Sequence, residues 1–368
     1  MLPAVRIIYY PLLFFIFIVS NILGFSTTLY VPQDYASIQE ALYFAATGDT
    51  VQAAPGNFAP FLWSGNNLQN IHLFGSGAYG GSASIITGTS SQTGILLDEA
   101  VGWEIAYFQF TGCYHGIYAE YCHNLNIHHN YFHHHLGGNS SGVFIEYNQD
   151  LYFHHNTLAY NNYCNLLIDG IADAQFYNNT VVYTQQYHGF LFLTNHSGVQ
   201  IINNIIAYND GDGIQMQGGQ GDAVLQYNDC FGNGSNYSSC SPGIGSISLN
   251  PLFQASGGNP YTLQEDSPCI DTGDPEFPFD PDNTRADIGA SFYDQTLPAV
   301  ENLIISLSGS NIILDWNDAP FARKYYIHWN SQPFFTSGIP SDSTSVSSYT
   351  DVNALSQEIK FYIITYRN

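Results

Sequence analysis

Five segments decide the reading of this chain: NLNIHHNYF (124–132), DLYFHHNTL (150–158), DAQFYNNTV (173–181), GVQIINNII (198–206) and DAVLQYNDC (222–230). Each places an apolar residue three positions before an asparagine, at Asn130, Asn156, Asn179, Asn204 and Asn228, with spacings of 26, 23, 25 and 24 residues. A second column lies between them: GIYAE (116–120), GVFIE (142–146), NLLID (165–169), GFLFL (189–193) and GIQMQ (213–217). Both columns alternate apolar and variable residues, the period of a strand with one buried face. A unit of this size cannot bury its own apolar face and must stack on its neighbours, so the spacing predicts an all-β solenoid.

The repeat resembles the right-handed parallel β-helix family, with the asparagines as its turn ladder. The opening stretch YVPQDYASIQEALYFAATGDTVQAAPGNF (30–58) resembles the start of pectinesterase-like and pectate-lyase-like β-helices. That resemblance implies a helix capping the first coil through Ile38, Ala41, Leu42 and Ala45. SPCIDTGDPEFPFDPDNTRADIGASFY (267–293) resembles the closing segment of secreted β-helix proteins. Residues 297–368, with NLIISLSGSNIILDW, KYYIHW and KFYIITYR, resemble a fibronectin type III β-sandwich, in which Trp316 and Tyr325 would be core aromatics. The expected organisation is a signal peptide over 1–26, the β-helix over 27–296 and a small β-sandwich over 297–368.

The first 26 residues carry one Arg ahead of a long apolar run ending in small residues, the pattern of an export signal. Export, to the periplasm, the cell surface or the medium, is therefore expected, with no membrane span in the mature chain. Cys230 and Cys240 enclose a short Gly/Ser/Asn loop and are the expected disulfide, although spacing alone does not fix pairing.

Of 368 residues, 6 are Lys or Arg and 30 are Asp or Glu. No Lys or Arg occurs between residues 27 and 284, which excludes a nucleic-acid partner, since phosphates need basic side chains. Cations are the natural partners of such a surface. A monomer is expected.

Two outward columns carry candidate chemistry. Glu120, Glu146 and Asp169 share one position on consecutive coils, flanked by Tyr118, Phe144 and Tyr121. Such acids are open to three readings: solvated side chains, ligands for a hard cation such as Ca²⁺, or an acid/base pair for glycoside hydrolysis. The flanking aromatics would bind a sugar. Binding of a polysaccharide or other glycan is the expected function, with its processing left open. If the chain is an enzyme, a hydrolase is favoured over a lyase, because the Arg or Lys base common in β-helix lyases is missing from these coils. A structural or adhesive surface protein is the alternative without chemistry.

The second column is histidine. The register places His128 over His154 and His129 over His155, about 4.8 Å apart. Stacking and turn hydrogen bonding is the simplest reading. A zinc or copper site drawn from His128, His129, His133, His134, His135, His154 and His155, with His128 and His154 foremost, as in a periplasmic metal-handling β-helix, is the sharper one, because imidazole suits those metals. Asp280, Asp282 and Asp287 around Arg285 form a further candidate cation site.

Overall fold

The computed structural model describes residues 26–194, 196–254, 259, 261–296, 298–320, 322–333, 340–354 and 359–367. The expected signal segment lies outside them, apart from its last residue.

Parallel strands stack coil upon coil into a β-helix of about nine turns. One face runs through Thr28–Val31, Thr50–Ala53, His72–Phe74, Glu104–Ala106 and His123–His128 into the C-terminal halves of the long strands Ser141–His154 and Cys164–Tyr177. A second holds eight strands, from Gly56–Phe58 to Asp229–Phe231. The carboxylate column lies on a third, through Phe61–Ser64, Ile95–Asp98 and Ile117–Glu120.

Inward positions fill the bore with like stacked on like. Ile105, Ile127, Phe153, Phe176 and Ile201 succeed one another in register, all fully buried. Phe110 and Phe132 stack at 4.6 Å. Each such side chain contributes about 1.5–3 kcal/mol of burial. The bore is closed at its N-terminal end by the helix Ile38–Phe44, which buries Ile38, Ala41 and Leu42 and is capped by Ser37 Oγ accepting from Glu40 N at 3.1 Å.

The asparagine ladder is continuous. The backbone N–H of Asn130 donates to Asn156 Oδ1 (3.0 Å), that of Asn156 to Asn179 (3.0 Å), that of Asn179 to Asn204 (2.9 Å) and that of Asn204 to Asn228 (3.0 Å). Each Nδ2 donates in turn to a carbonyl one coil back, as Asn156 does to Ile127 O at 2.8 Å. The ladder satisfies buried backbone groups that no strand partner reaches. Five residues further on runs a second ladder, in which His135 N donates to Asn161, Thr184 N to Asn209, and Asn209 N to Asn233. His135 stands in an asparagine position here, fully buried, with its Nε2 unpartnered.

The residue before each ladder asparagine is left-handed: His129 (φ 54°), His155 (φ 52°), Asn178 (φ 49°), Asn203 (φ 57°) and Tyr227 (φ 52°). A side chain in this conformation costs about 1–2 kcal/mol. Ring stacking along the column and the ladder bonds offset that cost.

The closing segment folds back over these turns. Asn178 Nδ2 donates to Asp287 O (2.9 Å), Gly289 N to Asn203 O (2.8 Å), Asp274 N to Asn203 Oδ1 (2.7 Å) and Ala290 N to Thr180 Oγ1 (3.0 Å). Tyr261, Leu263, Cys269 and Ile288 seal an apolar layer on Ala159, Val182, Ile205 and Ala207. Beyond it, the strands Ile304–Ser308, Asn311–Asp315 and Ser348–Asp351 form one antiparallel sheet. Asp342–Thr344, Lys324–Asn330 and Phe361–Arg367 form another. They pack around Leu314, Trp316, Tyr325, Ile327 and Ile364.

All six cysteines are free thiols, so the expected Cys230–Cys240 bridge is not formed. Cys230 lies in the core of the coil, and Cys269 donates to the buried Asp229 carboxylate at 3.3 Å.

Candidate functional site

The carboxylate column is longer than its sequence signature. Asp98, Glu120, Glu146 and Asp169 are in register on four successive strands. Asp98 sits in GILLDE, which matches the same pattern but precedes the first coil bearing a ladder asparagine. The column is terminated by hydroxyls: Ser64 Oγ donates to Asp98 Oδ2 at 2.7 Å and Thr194 Oγ1 donates to Asp169 Oδ1. At its centre the Tyr118 hydroxyl is shared between Glu120 Oε2 (3.1 Å) and Glu146 Oε2. Burial, and then the two carboxylates, push the Tyr118 phenol pKa up, so it stays a donor.

The aromatic stripe beside the acids is half-buried. Tyr118 and Phe144 stack face to face at 4.9 Å with an 18° interplanar angle, so their faces lie against each other and their edges point outward. His115 packs on both. Leu167 and Leu191, in the same row, are covered by neighbouring side chains that include Cys164 and Tyr163. On the other flank Tyr121 and Tyr147 are exposed and stack at 5.4 Å.

The histidines stack as their spacing predicts. His128 lies on His154 at 4.8 Å and 10°, and His129 on His155 at 4.9 Å and 2°. His154 continues onto Tyr177 at 4.6 Å. Consecutive histidines also pair within a coil. His128 Nδ1 faces His129 Nδ1 at 2.8 Å, His154 Nδ1 faces His155 Nδ1 at 2.9 Å, and His133 Nδ1 faces His134 Nδ1 at 2.8 Å. A strand residue followed by a left-handed residue turns two adjacent imidazoles toward each other, which explains the recurrence.

Glu104 organises the first pair. Its Oε1 lies 2.8 Å from His128 Nε2 and its Oε2 lies 2.5 Å from His72 Nδ1. Burial acts to raise the Glu104 pKa, but the bonds from His128 and His72 outweigh it and hold the carboxyl below its ordinary value. In the next coil Asn126 Oδ1 takes the equivalent place, 3.0 Å from His154 Nε2. Burial lowers His154 to about 2 and His155 to about 3, so both imidazoles are neutral at ordinary pH.

His128 and His154, singled out from the sequence, therefore have both ring nitrogens engaged. The turn residues His129 and His155 instead line a cleft of about 340 Å³ between the coils and the closing segment, with Asn178, Asp280, Asp287 and residues 289–292. His129 is exposed at this cleft and His155 half-buried. Burial raises Asp287 to about 7. The cleft acids also have structural roles: Asp287 accepts from Asp271 N and Tyr293 N, each at 2.7 Å, and Asp280 Oδ2 accepts from Asp287 N at 2.8 Å. Asp282 caps Thr284 N and Gln295 N, and Arg285 donates to Gly273 O and Thr272 O. Among the described residues, no group of three or more His, Cys, Asp or Glu is arranged to hold a metal ion.

Residues 47–246, which carry both columns, match the family described as "Periplasmic copper-binding protein (NosD)". The chain belongs to the NosD family. That family is periplasmic by its description, in agreement with the expected export, and among the described residues no helix is long and apolar enough to cross a membrane. The chain is also similar to solved structures. These include a pectate lyase, Pel9A (12% identity, 73% of this chain and 97% of that chain, TM-score 0.42). They also include ORF18 of Geobacillus virus E2 (14%, 75% and 64%, 0.27) and the Dettilon tailspike protein gp208 (9%, 92% and 94%, 0.22). A search of curated proteins finds no match.

Proposed function

We propose that this NosD-family chain is an exported β-helix that binds copper ions at the histidine turn of its central coils. The observation that carries this reading is the pair His129 and His155, stacked at 4.9 Å and facing one open cleft. Imidazole is a good ligand for copper, and a nitrogen already free of its proton gives up nothing on binding. The net charge of −24 draws cations to the surface. Two nitrogens are a small ligand set. They suit a monovalent ion of low coordination number, with remaining positions open to water or to a receiving partner. That is the arrangement of a carrier more than of a structural site.

The chain's own residues have defined tasks here. His129 and His155 bind, His128 and His154 orient them, and the segment 280–292 walls the cleft. Copper, when bound, supplies a soft Lewis acid at that wall. The rings stand one strand spacing apart, so holding one ion between them requires the pair to tilt together.

Chelator-stripped protein titrated with Cu(I) against a colorimetric competitor tests the reading. Wild type should withdraw copper stoichiometrically, the double variant His129→Ala/His155→Ala should not, and His133→Ala/His134→Ala should behave as wild type. Equal binding by all three would refute it.

The carboxylate face supports a second reading, carbohydrate binding. Four acids in register beside the exposed Tyr121–Tyr147 stack favour it. Glu120, Glu146 and Asp169 would accept from sugar hydroxyls, with or without Ca²⁺, and Tyr118, Phe144 and Tyr121 would offer their edges. A polysaccharide panel scored for retention and for new reducing ends, with Glu146→Gln as control, separates binding from cleavage. No retention and no product would remove this reading.

A further inference from the structure

The hydrogen bonds around the histidine turn fix which nitrogen of each ring carries the proton, and hence which nitrogen is offered to a ligand. We infer that Glu104 and Asn126 are positioning residues that force His129 and His155 into the Nδ1–H tautomer, so that the Nε2 lone pairs of both rings form the ligand-binding edge of the cleft. This rests on the copper reading for the identity of the ligand, but not for the tautomers themselves.

A carboxylate can only accept, so Glu104 Oε1, at 2.8 Å, requires a proton on His128 Nε2. With the ring's single proton on Nε2, Nδ1 is bare. That Nδ1 lies 2.8 Å from His129 Nδ1, a contact that needs one proton between the two nitrogens, and His129 must supply it. His129 is left with a bare Nε2. One coil on, the carbonyl oxygen of Asn126 plays the part of the carboxylate toward His154 Nε2 at 3.0 Å, and the 2.9 Å contact of His154 Nδ1 with His155 Nδ1 repeats the transfer. Two relays of different chemistry, one ending in a carboxylate and one in an amide, converge on the same outcome in adjacent rings stacked at 2°.

This is the outer-shell logic of metal-binding histidines, in which the nitrogen away from the metal donates to an acceptor that sets the tautomer and raises ligand basicity. Here the first acceptor is itself an imidazole. The third pair differs. Gln109 Nε2 lies 2.6 Å from His133 Nε2, so an amide donor stands where the other pairs have an acceptor. The relay then runs the opposite way, and His134 carries its proton on Nε2. Only the pairs on the cleft side are set to bind. An isolated imidazole favours Nε2–H, so the two classes of ring differ in an observable way.

Long-range proton–nitrogen correlation spectra of ¹⁵N-histidine-labelled protein at pH 8 test the assignment, with ring signals assigned by single His→Gln variants. His129 and His155 should show the Nδ1–H pattern, and His128, His154 and His134 the Nε2–H pattern. Glu104→Ala should return His129 to Nε2–H while leaving His155 unchanged. Asn126→Asp, which keeps an acceptor, should leave both as in wild type. Anaerobic addition of Cu(I), which is diamagnetic, should move the Nε2 signals of His129 and His155 first, and Glu104→Ala should weaken that binding about 10–100-fold. Nε2–H patterns on His129 and His155 in the wild-type protein would overturn the inference whatever copper does. The expected patterns with no response to Cu(I) would leave the tautomer relay standing and remove the copper reading.

Discussion

The imidazole turn and the carboxylate face occupy the same central coils and are built by one rule, the stacking of like residues at one strand spacing, yet they solve opposite problems. Burial keeps His129, His154 and His155 neutral at ordinary pH, so stacking them costs no charge repulsion, and with His128 they lie against one another at 4.8–5.1 Å along and across the coils. The carboxylates repel their neighbours directly across each strand pair. They persist because hydroxyls of Ser64, Tyr118 and Thr194 donate into the column and because the face stays partly open to water. Neutral donors can therefore be repeated along a solenoid and be buried. Charged ones can be repeated only where solvent and hydroxyls serve them.

Both columns hang on the asparagine ladder, and breaking it should have the largest effect. Asn156 is fully buried, donates to Ile127 O and accepts from Asn130 N. Asn156→Ala should cost about 2–4 kcal/mol, read by chemical denaturation, because it orphans buried backbone groups.

A buried carboxylate sharpens the contrast with the exposed ones. Asp229 is fully buried and burial raises its pKa to about 6. Its folded value lies above the unfolded one, so the folded state binds the proton more tightly. Asp229's own contribution to stability should grow as pH falls through about 6 toward 4, by up to about 3 kcal/mol, opposing the loss that the buried neutral His154 and His155 impose over the same range. Asp229→Asn should therefore make thermal melts from pH 8 to pH 4 fall more steeply on the acid side than those of the wild type.

On the carboxylate face the effects are smaller and of known sign. Glu146→Gln keeps an acceptor for Tyr118 and removes one charge from the column, so it should stabilise by about 0.2–1 kcal/mol. Added salt should raise the melting temperature of the wild type more than that of this variant, since it screens the same repulsion. Equal salt responses would mean that the acids are already relaxed apart.

Much of this was legible in the sequence. The apolar–x–x–Asn recurrence implied the ladder, and with it the stacking of His128 on His154 and of His129 on His155. The carboxylate column was legible in part. Asp98 and Glu104 were not, because their coil has Phe108 where later coils have asparagine, and Phe108 N instead donates forward to Asn130 Oδ1 at 3.0 Å. Nothing local fixes the register there. The burial of Leu167 and Leu191 carries no sequence signal for a different reason, since strand alternation predicts direction and not what a turn from another part of the coil lays on top. The cleft depends on residues 271–293 returning across the turns, a long-range contact without a periodic signal. The periodicity therefore brought all four histidines together without separating His128 and His154, which bond to Glu104 and Asn126, from His129 and His155, which line the cleft.

The most direct test of the central claim is a crystal of the exported chain soaked anaerobically with Cu(I) and measured at the copper absorption edge. An anomalous peak is expected in the cleft within bonding distance of the Nε2 atoms of His129 and His155, with His128 still bonded to Glu104. A peak on the Asp98–Asp169 carboxylates, or at His133 and His134, with none between His129 and His155, would contradict it.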